Sequence, residues 1–173
     1  MCYKLLKHLA LQRIYLTVEG FLSPDQAGFR KGRSTCDQVA ALTTFIENGF
    51  QQNLKTGAVV LDLTAAYDTV WHTGLLYKLS KSMPYWLTRL VSAASRSTFQ
   101  GAHGQPVLWR PQCNGLPQGS VLARVLFSLY SNDLPVTRGR KFIYADNICL
   151  AIQGQYFSEL ECSLSSDMDF YAR

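Results

Sequence analysis

The chain has 173 residues, which is enough for one domain with a hydrophobic core but short for two. Hydrophobic residues make up 47% of it and charged residues only 17%, a balance that argues against a disordered tail, while the net charge of +5 suits a polyanionic partner. The five cysteines are too scattered for a zinc knuckle or a redox CxxC pair, and no apolar run has the length of a membrane span.

The first third of the chain alternates between apolar periodicity and a glycine-rich loop. Ser34, followed by Asp37 three residues later, has the pattern of a helix N-cap. The apolar run after Gly57 contains one acid, Asp62, and is typical of a buried central strand. The predicted segments are a helix over 3–18, a loop over 20–33, a helix over 34–52 and a strand over 58–63.

The remainder of the chain is predicted to be mainly helical, with one hairpin. Two apolar runs flank Asp146 and Asn147 and predict a β-hairpin with a polar tip. The stretch 98–113 is irregular, and we expect one domain because the sequence contains no internal repeat or low-complexity linker. The predicted helices are 69–81, 84–96, 120–132 and 157–173, and the hairpin spans 141–152.

Two acids in apolar surroundings, Asp62 and Asp146, are the main chemical anomaly of the sequence. Either one alone would be read as an ordinary strand-end or turn aspartate. Together they predict two carboxylates on adjacent strands, about 4–7 Å apart, an arrangement that repels unless divalent cations bridge it. Two magnesium ions held by shared aspartates are the usual device for phosphoryl transfer to a 3′-hydroxyl.

Four short motifs follow one another along the chain. They are Gln26-Ala-Gly-Phe-Arg30 with Arg33-Ser-Thr35, Asp62-Leu-Thr-Ala-Ala-Tyr67-Asp68, Asn114-Gly-Leu-Pro-Gln-Gly-Ser-Val-Leu122, and Phe142-Ile-Tyr-Ala-Asp-Asn147. In this order and spacing they resemble the reverse transcriptase domain of non-LTR (LINE-type) retrotransposons, from about residue 5 to the end of the chain. The resemblance implies an α+β polymerase palm, a small antiparallel sheet packed on helices, with a partial fingers segment.

The resemblance also implies an organisation and a set of partners. Residues 1–56 would be partial fingers and residues 57–173 the palm, as one continuous unit that ends before the thumb. The substrates would be an RNA template, a DNA primer and deoxynucleoside triphosphates, with two Mg²⁺ ions as cofactors and no protein partner or membrane. We expect an intracellular protein, either nuclear or cytoplasmic.

By the same resemblance, Asp62 and Asp146 are the catalytic metal ligands, with the backbone carbonyl of Leu63 as a further ligand. Tyr67 would be an aromatic steric gate that fills the space of a ribose 2′-hydroxyl. Its alternative reading is a core aromatic at the start of a helix. Asp68 is assigned to structure, as a helix N-cap.

Two further groups of residues would contact substrates. Gln118 and Gly119 would let the backbone approach the nucleotide, because glycine has no Cβ; the alternative is an ordinary helix-entry turn. Arg30, Lys31 and Arg33 would contact nucleic-acid backbone in a salt-sensitive manner, and the alternative is a solvated basic loop.

The sequence also departs from the family pattern. Asn147 stands where the third motif normally has a second aspartate, so the metal site loses one negative charge. Arg124 replaces a usual proline, and residues 94–109 look eroded against the family pattern. We therefore expect an inactive copy of an RNA-directed DNA polymerase, and the alternative is a decayed or repurposed nucleic-acid-binding module.

Overall fold

The computed structural model of the chain describes residues 2–95, 113–116 and 120–171. The described residues form six helices and three strands. In chain order these are α1 Cys2–Val18, α2 Thr35–Gln51, β1 Lys55–Asp62, α3 His72–Ser82, α4 Tyr85–Ser95, α5 Val121–Tyr130, β2 Arg140–Tyr144, β3 Asn147–Gly154 and α6 Phe157–Tyr171.

Most of the predicted elements are confirmed, because their signals are local. All six helices are present, with ends that differ by a few residues from the predicted ones, and β2 and β3 form the predicted hairpin. The irregular stretch 98–113 lies almost entirely outside the described residues. No helix in the described part of the chain is both long and apolar enough to cross a membrane.

The predicted N-cap of α2 is confirmed. The hydroxyl of Ser34 accepts a hydrogen bond from the backbone N–H of Asp37 at 3.2 Å, and the Asp37 carboxylate accepts from the Ser34 N–H at 2.7 Å. The hydrogen bond from the Ser34 side chain, followed by the one from its backbone, holds the pKa of Asp37 below its usual range. Because of this reciprocal capping, α2 begins directly after the loop that carries Arg30, Lys31 and Arg33, called the basic loop below.

The predicted N-cap role of Asp68 is wrong. Asp68 is exposed in a turn, where its N–H donates to the carbonyl of Ala65 at 2.8 Å. The next helix, α3, begins only at His72, and Trp71 precedes it without a side-chain cap. The sequence pattern placed the helix start too early because the turn after β1 also has helix-like spacing.

The chain divides into two compact units, Met1–Leu22 with Ala65–Tyr130, and Ser23–Thr64 with Ser131–Arg173. The first unit is helical, and α1 and α3 both pack on α5. Its buried apolar residues include Ile14, Val18, Val70, Leu75, Leu79, Leu87 and Val91. The predicted division into fingers and palm at residue 56 follows a different boundary and stays a prediction.

The second unit is a three-stranded antiparallel sheet in the order β1-β3-β2, with a helix against each face. Successive side chains of a strand point to opposite faces of a sheet. On one face, Ile148 and Leu150 of β3 pack with Leu164 of α6. On the other face, the ring of Phe142 in β2 contacts that of Phe45 in α2. The buried carboxylate of Asp167 in α6 accepts hydrogen bonds from the N–H groups of residues 138 and 139, just before β2.

The prediction that Asp62 lies on a buried central strand is wrong. The central strand is β3, which pairs on both sides, whereas β1 is an edge strand. One face of β1 packs towards α6, and the other exposes Ala58, Val60 and Asp62, with Val60 71% exposed. An apolar run of this length does not distinguish a strand buried on both faces from one buried on a single face.

Candidate active site

The β1–β3 pairing brings the two predicted acids to the same end of the sheet. Asp62 and Asn147 are directly opposed as the last pair of the ladder, so their side chains lie on the same face. Beyond that pair, the N–H of Leu63 donates to the backbone carbonyl of Asp146 at 3.3 Å. The expected pairing of the two chain segments is confirmed. The separation of the Asp62 and Asp146 carboxylates stays a prediction.

Asp146 lies in the two-residue turn between β2 and β3. Tyr144 and Asn147 are opposed on either side of this turn, which consists of Ala145 and Asp146. Ala145 has a φ of 57°, in the left-handed region that residues with a Cβ rarely adopt. Such a conformation costs on the order of 1–2 kcal/mol, so contacts from elsewhere must hold it.

Those contacts come from the side chain of Gln26, which is 4% exposed. Its Nε2 donates to the carbonyl of Ala145 at 3.1 Å, and its Oε1 accepts from the Ala145 N–H at 3.0 Å and from the Gly28 N–H at 2.8 Å. The sequence placed Gln26 inside a motif but assigned it no role. A linear pattern gives no sign of a side-chain partner this far along the chain.

The basic loop is internally bonded. The guanidinium of Arg30 donates to the carbonyls of Ser23 at 2.8 Å and Gln26 at 3.0 Å, and that of Arg33 donates to the carbonyl of Pro24 at 2.7 Å. Arg30 is partly buried, whereas residues 31 and 33 are exposed. Arg30 therefore has a structural role in ordering the loop, which the sequence did not indicate. The nucleic-acid contacts of the three basic residues stay predictions.

Tyr67 belongs to the helical unit and is partly buried there. Its ring stacks on that of Phe127, with centroids 4.9 Å apart, and its carbonyl accepts from the N–H of Leu116 at 2.8 Å. These contacts suit the alternative reading of a core aromatic, and the steric-gate role stays a prediction. Gln118 and Gly119 lie outside the described residues.

The two departures from the family motifs differ in their surroundings. Asn147 is exposed at the end of β3, opposite Asp62, where its amide offers an oxygen but no charge. Arg124 is an exposed residue in the first turn of α5. Of the two, Asn147 is the one that changes the charge beside a predicted metal ligand.

The donor set at this end of the sheet fits a hard divalent cation. Asp62 and Asp146 offer carboxylate oxygens, Asn147 offers an amide oxygen, and the neighbouring backbone offers carbonyl oxygens. Oxygen ligands of this kind are the ones that Mg²⁺ and Mn²⁺ prefer, in contrast to zinc. Within the described ranges, no cluster of three or more His, Cys, Asp or Glu side chains is suited to a metal ion. A metal here would therefore depend on two carboxylates supplemented by neutral oxygens.

Comparison with known proteins connects this geometry to a family. The family model described as "Reverse transcriptase (RNA-dependent DNA polymerase)" matches residues 1–167. The chain is 34% identical to the "Probable RNA-directed DNA polymerase from transposon BS" of Drosophila melanogaster, over 85% of this chain and 18% of that protein. It is 30% identical to the "RNA-directed DNA polymerase from mobile element jockey" of the same species, over 76% of this chain and 15% of that protein.

A jockey protein of Drosophila funebris is 29% identical over 97% of this chain and 20% of its own length. The chain thus spans at most 20% of the length of these three curated relatives. The family model and the Drosophila funebris protein each match nearly the whole chain, including the segments that form the described sheet and helices.

Proposed function

Since this chain belongs to the reverse transcriptase family, of the non-LTR (LINE-type) kind, we propose that it forms the palm and part of the fingers of an RNA-directed DNA polymerase. The family generally uses divalent metal ions and implies nucleic-acid and nucleotide substrates. The proposed substrates are an RNA template, a DNA primer and deoxynucleoside triphosphates. The proposed mechanism is nucleotidyl transfer with two Mg²⁺ ions.

The observation that carries the proposal is the register of the sheet. Asp62 at the end of β1 is opposed to Asn147, and the adjacent Asp146 is bonded through its backbone to Leu63. Asp62, Asp146 and the carbonyl of Leu63 would hold the metal. When bound, the ions supply positive charge to the attacking 3′-hydroxyl and to the leaving pyrophosphate.

The other proposed roles belong to the chain's own residues. The ring of Tyr67 would exclude a ribose 2′-hydroxyl, which selects deoxynucleotides over ribonucleotides. Gln118 and Gly119 would line the path of the incoming nucleotide through their backbone. Neither role is needed for the argument from the two carboxylates.

We further propose that this copy is catalytically inactive, and that the charge which Asn147 removes from the site is part of the reason. When template, primer and nucleotide cover the site and exclude water, an effective dielectric constant near 20 applies, and one such charge interaction at a few ångströms is worth on the order of a few kcal/mol. Because each 1.36 kcal/mol of transition-state stabilisation changes the rate about tenfold, the loss would lower the rate roughly a hundredfold or more.

Primer extension on an RNA template tests both parts of the proposal. The protein is assayed with Mg²⁺ and with Mn²⁺, alone and extended at both ends by the corresponding segments of a jockey relative. We expect DNA synthesis only from the extended chain that carries Asn147→Asp. Asn48→Asp, which adds the same charge at an exposed position of α2, is the matched control and should not restore synthesis.

Two results would contradict the proposal. Synthesis by the unsubstituted chain at a rate equal to that of the Asn147→Asp variant would show that the charge at this position is dispensable. Synthesis that survives Asp62→Asn in the extended, substituted chain would remove Asp62 from the metal site.

A second candidate function is nucleic-acid binding without catalysis, and the exposure of residues 31 and 33 in a chain of net charge +5 favours it. The logarithm of the binding constant for single-stranded RNA should fall linearly with the logarithm of the salt concentration. Lys31→Ala combined with Arg33→Ala should flatten that slope by about 1.4 if each residue neutralises one phosphate. Arg30 is left unchanged because it is partly buried and donates to two carbonyls of the loop, whereas the exposed Arg33 donates to one.

The matched control for this measurement is Lys81→Ala combined with Arg89→Ala, which removes the same charges from exposed positions of α3 and α4. The control should lower the slope less than the loop variant. Equal slopes for the loop variant and the unsubstituted chain would place the binding surface elsewhere.

A further inference from the structure

We infer that Gln26 is a positioning residue that holds the Ala145–Asp146 turn in the conformation that directs Asp146 towards the metal site. The inference rests on the proposed function, because it concerns the geometry of a proposed metal ligand. It assigns to the basic-loop motif a role in the catalytic geometry that is separate from any nucleic-acid contact.

The first argument is the conformation of the turn. Ala145 is a buried residue with a Cβ and a positive φ, and its backbone polar groups need partners away from water. A single amide, that of Gln26, bonds both its N–H and its C=O. Backbone strain of this kind persists only where the surroundings determine it, and it concentrates at functional sites.

The second argument is the attachment of the loop to β2. The N–H of Ala27 donates to the carbonyl of Ile143 at 2.9 Å, and the N–H of Ile143 donates to the carbonyl of Asp25 at 3.2 Å. Residue 26 therefore pairs with residue 143 as a parallel bridge, which fixes its backbone beside the strand that leads into the turn. The glutamine side chain then reaches the turn from a fixed base.

The third argument is the close approach of Gly28. A Cβ at this position would lie 2.2 Å from the backbone nitrogen of Ala145, closer than any real contact. The N–H of Gly28 also donates to the same Gln26 oxygen that accepts from Ala145. The loop and the turn are thus fitted to each other at backbone distance, with Gln26 as the connecting side chain.

The consequence for Asp146 follows from its position in the chain. It is the residue after Ala145, and its carbonyl accepts from Leu63, which follows Asp62. Without the Gln26 amide, Ala145 would relax towards negative φ and rotate the Asp146 peptide away from Leu63. The two proposed metal-binding carboxylates would then lose their fixed relative placement while the rest of the sheet stayed paired.

The test uses two substitutions in the full chain. Gln26→Met keeps the side-chain length and removes all three hydrogen bonds. Gln26→Glu keeps the two accepted bonds but, as a carboxylate, sets an oxygen against the Ala145 carbonyl in place of the Nε2 donor, so it serves as a second variant that leaves the Ala145 N–H its acceptor. The matched control is Gln38→Met, because the Gln38 side chain, on α2, donates to the carbonyl of Asp25 in the loop at 3.4 Å and makes no hydrogen bond to the turn in the described part of the chain.

The first readout is amide hydrogen exchange of Ala145, measured by NMR. Because about 1.4 kcal/mol corresponds to a factor of ten in an equilibrium, loss of a buried hydrogen bond of about that strength should speed exchange roughly tenfold in Gln26→Met. Exchange should stay near the parent rate in the control, and it should rise less in Gln26→Glu than in Gln26→Met because the Ala145 N–H keeps its acceptor. The amide of Leu150 in the centre of β3 reports whether the sheet itself is intact.

The second readout is the affinity for Mn²⁺, measured by the relaxation of water protons, with Asp62→Asn as the reference for specific binding. Affinity should fall about tenfold in Gln26→Met with β3 protection unchanged, a change that a purely fold-stabilising glutamine would not produce. The Gln38→Met control should bind as the parent does.

Each failure has its own signature. Equal Ala145 exchange in the parent and Gln26→Met overturns the inference, and so does an unchanged Mn²⁺ affinity in Gln26→Met when Asp62→Asn does lower it. If Asp62→Asn itself leaves Mn²⁺ binding unchanged, the proposed metal site is what fails, and the positioning role is overturned with it.

Discussion

Replacing Asn147 with aspartate should destabilise the chain in the absence of metal and make its stability depend on Mg²⁺. Asp62 and Asn147 are opposed at the end of the β1–β3 ladder, with their side chains on one face of the sheet. The substitution therefore sets two carboxylates directly across from each other. Like charges in this position repel, and the adjacent Asp146 adds a third carboxylate at the same end of the sheet.

The size of the effect follows from the strand spacing and the exposure of the pair. Opposite side chains in an antiparallel pair are about 5 Å apart. At that distance two unit charges repel by about 0.8 kcal/mol at a dielectric constant of about 80, and by about 1.7 kcal/mol at half that value. Because both residues are exposed, the lower half of this range applies, and we expect a loss of about 1 kcal/mol.

Urea unfolding at neutral pH, low salt and with a chelator present measures this loss. The control is a double-mutant cycle in which Asn147→Asp is combined with Asp62→Asn, which keeps one carboxylate and should restore most of the stability. Added monovalent salt should reduce the penalty because the pair is exposed.

Mg²⁺ should reverse the penalty. A free concentration ten times the dissociation constant stabilises a one-site protein by about 1.4 kcal/mol, enough to offset the repulsion. If Asn147→Asp unfolds at the parent urea concentration in the chelator, or if its loss is the same with and without Asp62→Asn, then the two side chains do not face each other. The metal-site geometry would then be refuted.

Three further results follow from the second unit. Asp167→Ala should lower the free energy of unfolding by about 2–4 kcal/mol, because one buried and one part-buried backbone N–H group lose a carboxylate acceptor. Asp169→Ala, on the exposed side of the same helix, should change the free energy of unfolding in urea titration by less than about 0.5 kcal/mol. Gly28→Ala should cost at least about 1–3 kcal/mol by overpacking against the turn backbone, while Gly20→Ala, whose added Cβ meets its nearest atom at 3.8 Å, should be tolerated. Burial raises the pKa of the Cys149 thiol, so its thiolate fraction is lower at any given pH. Mass spectrometry after iodoacetamide treatment should therefore show slower labelling of Cys149, and a more alkaline pH–rate profile, than for the exposed cysteines. Equal profiles would refute the burial.

The sequence by itself determined the local structure and the family. The Ser34–Asp37 capping box, the periodicity of the six helices and the hairpin around Asp146 are signals carried by residues a few positions apart. Each is decided by hydrogen bonds and side-chain spacing within one element, so the chain order is sufficient to read them. The order of the four motifs was likewise enough to identify the family, which the comparisons confirm.

Only the tertiary structure decided which residues act on which. Asp62 was predicted on a central strand, but β3 takes that place because it pairs with both of the other strands. The contact of Arg30 with nucleic-acid backbone stays a prediction, and the structure adds that its guanidinium donates to two carbonyls of the loop. The Gln26 amide is hydrogen-bonded to Ala145, which lies 119 positions away in the sequence. No periodicity encodes such a contact, because it depends on how separate elements pack and on which buried backbone groups still need a partner.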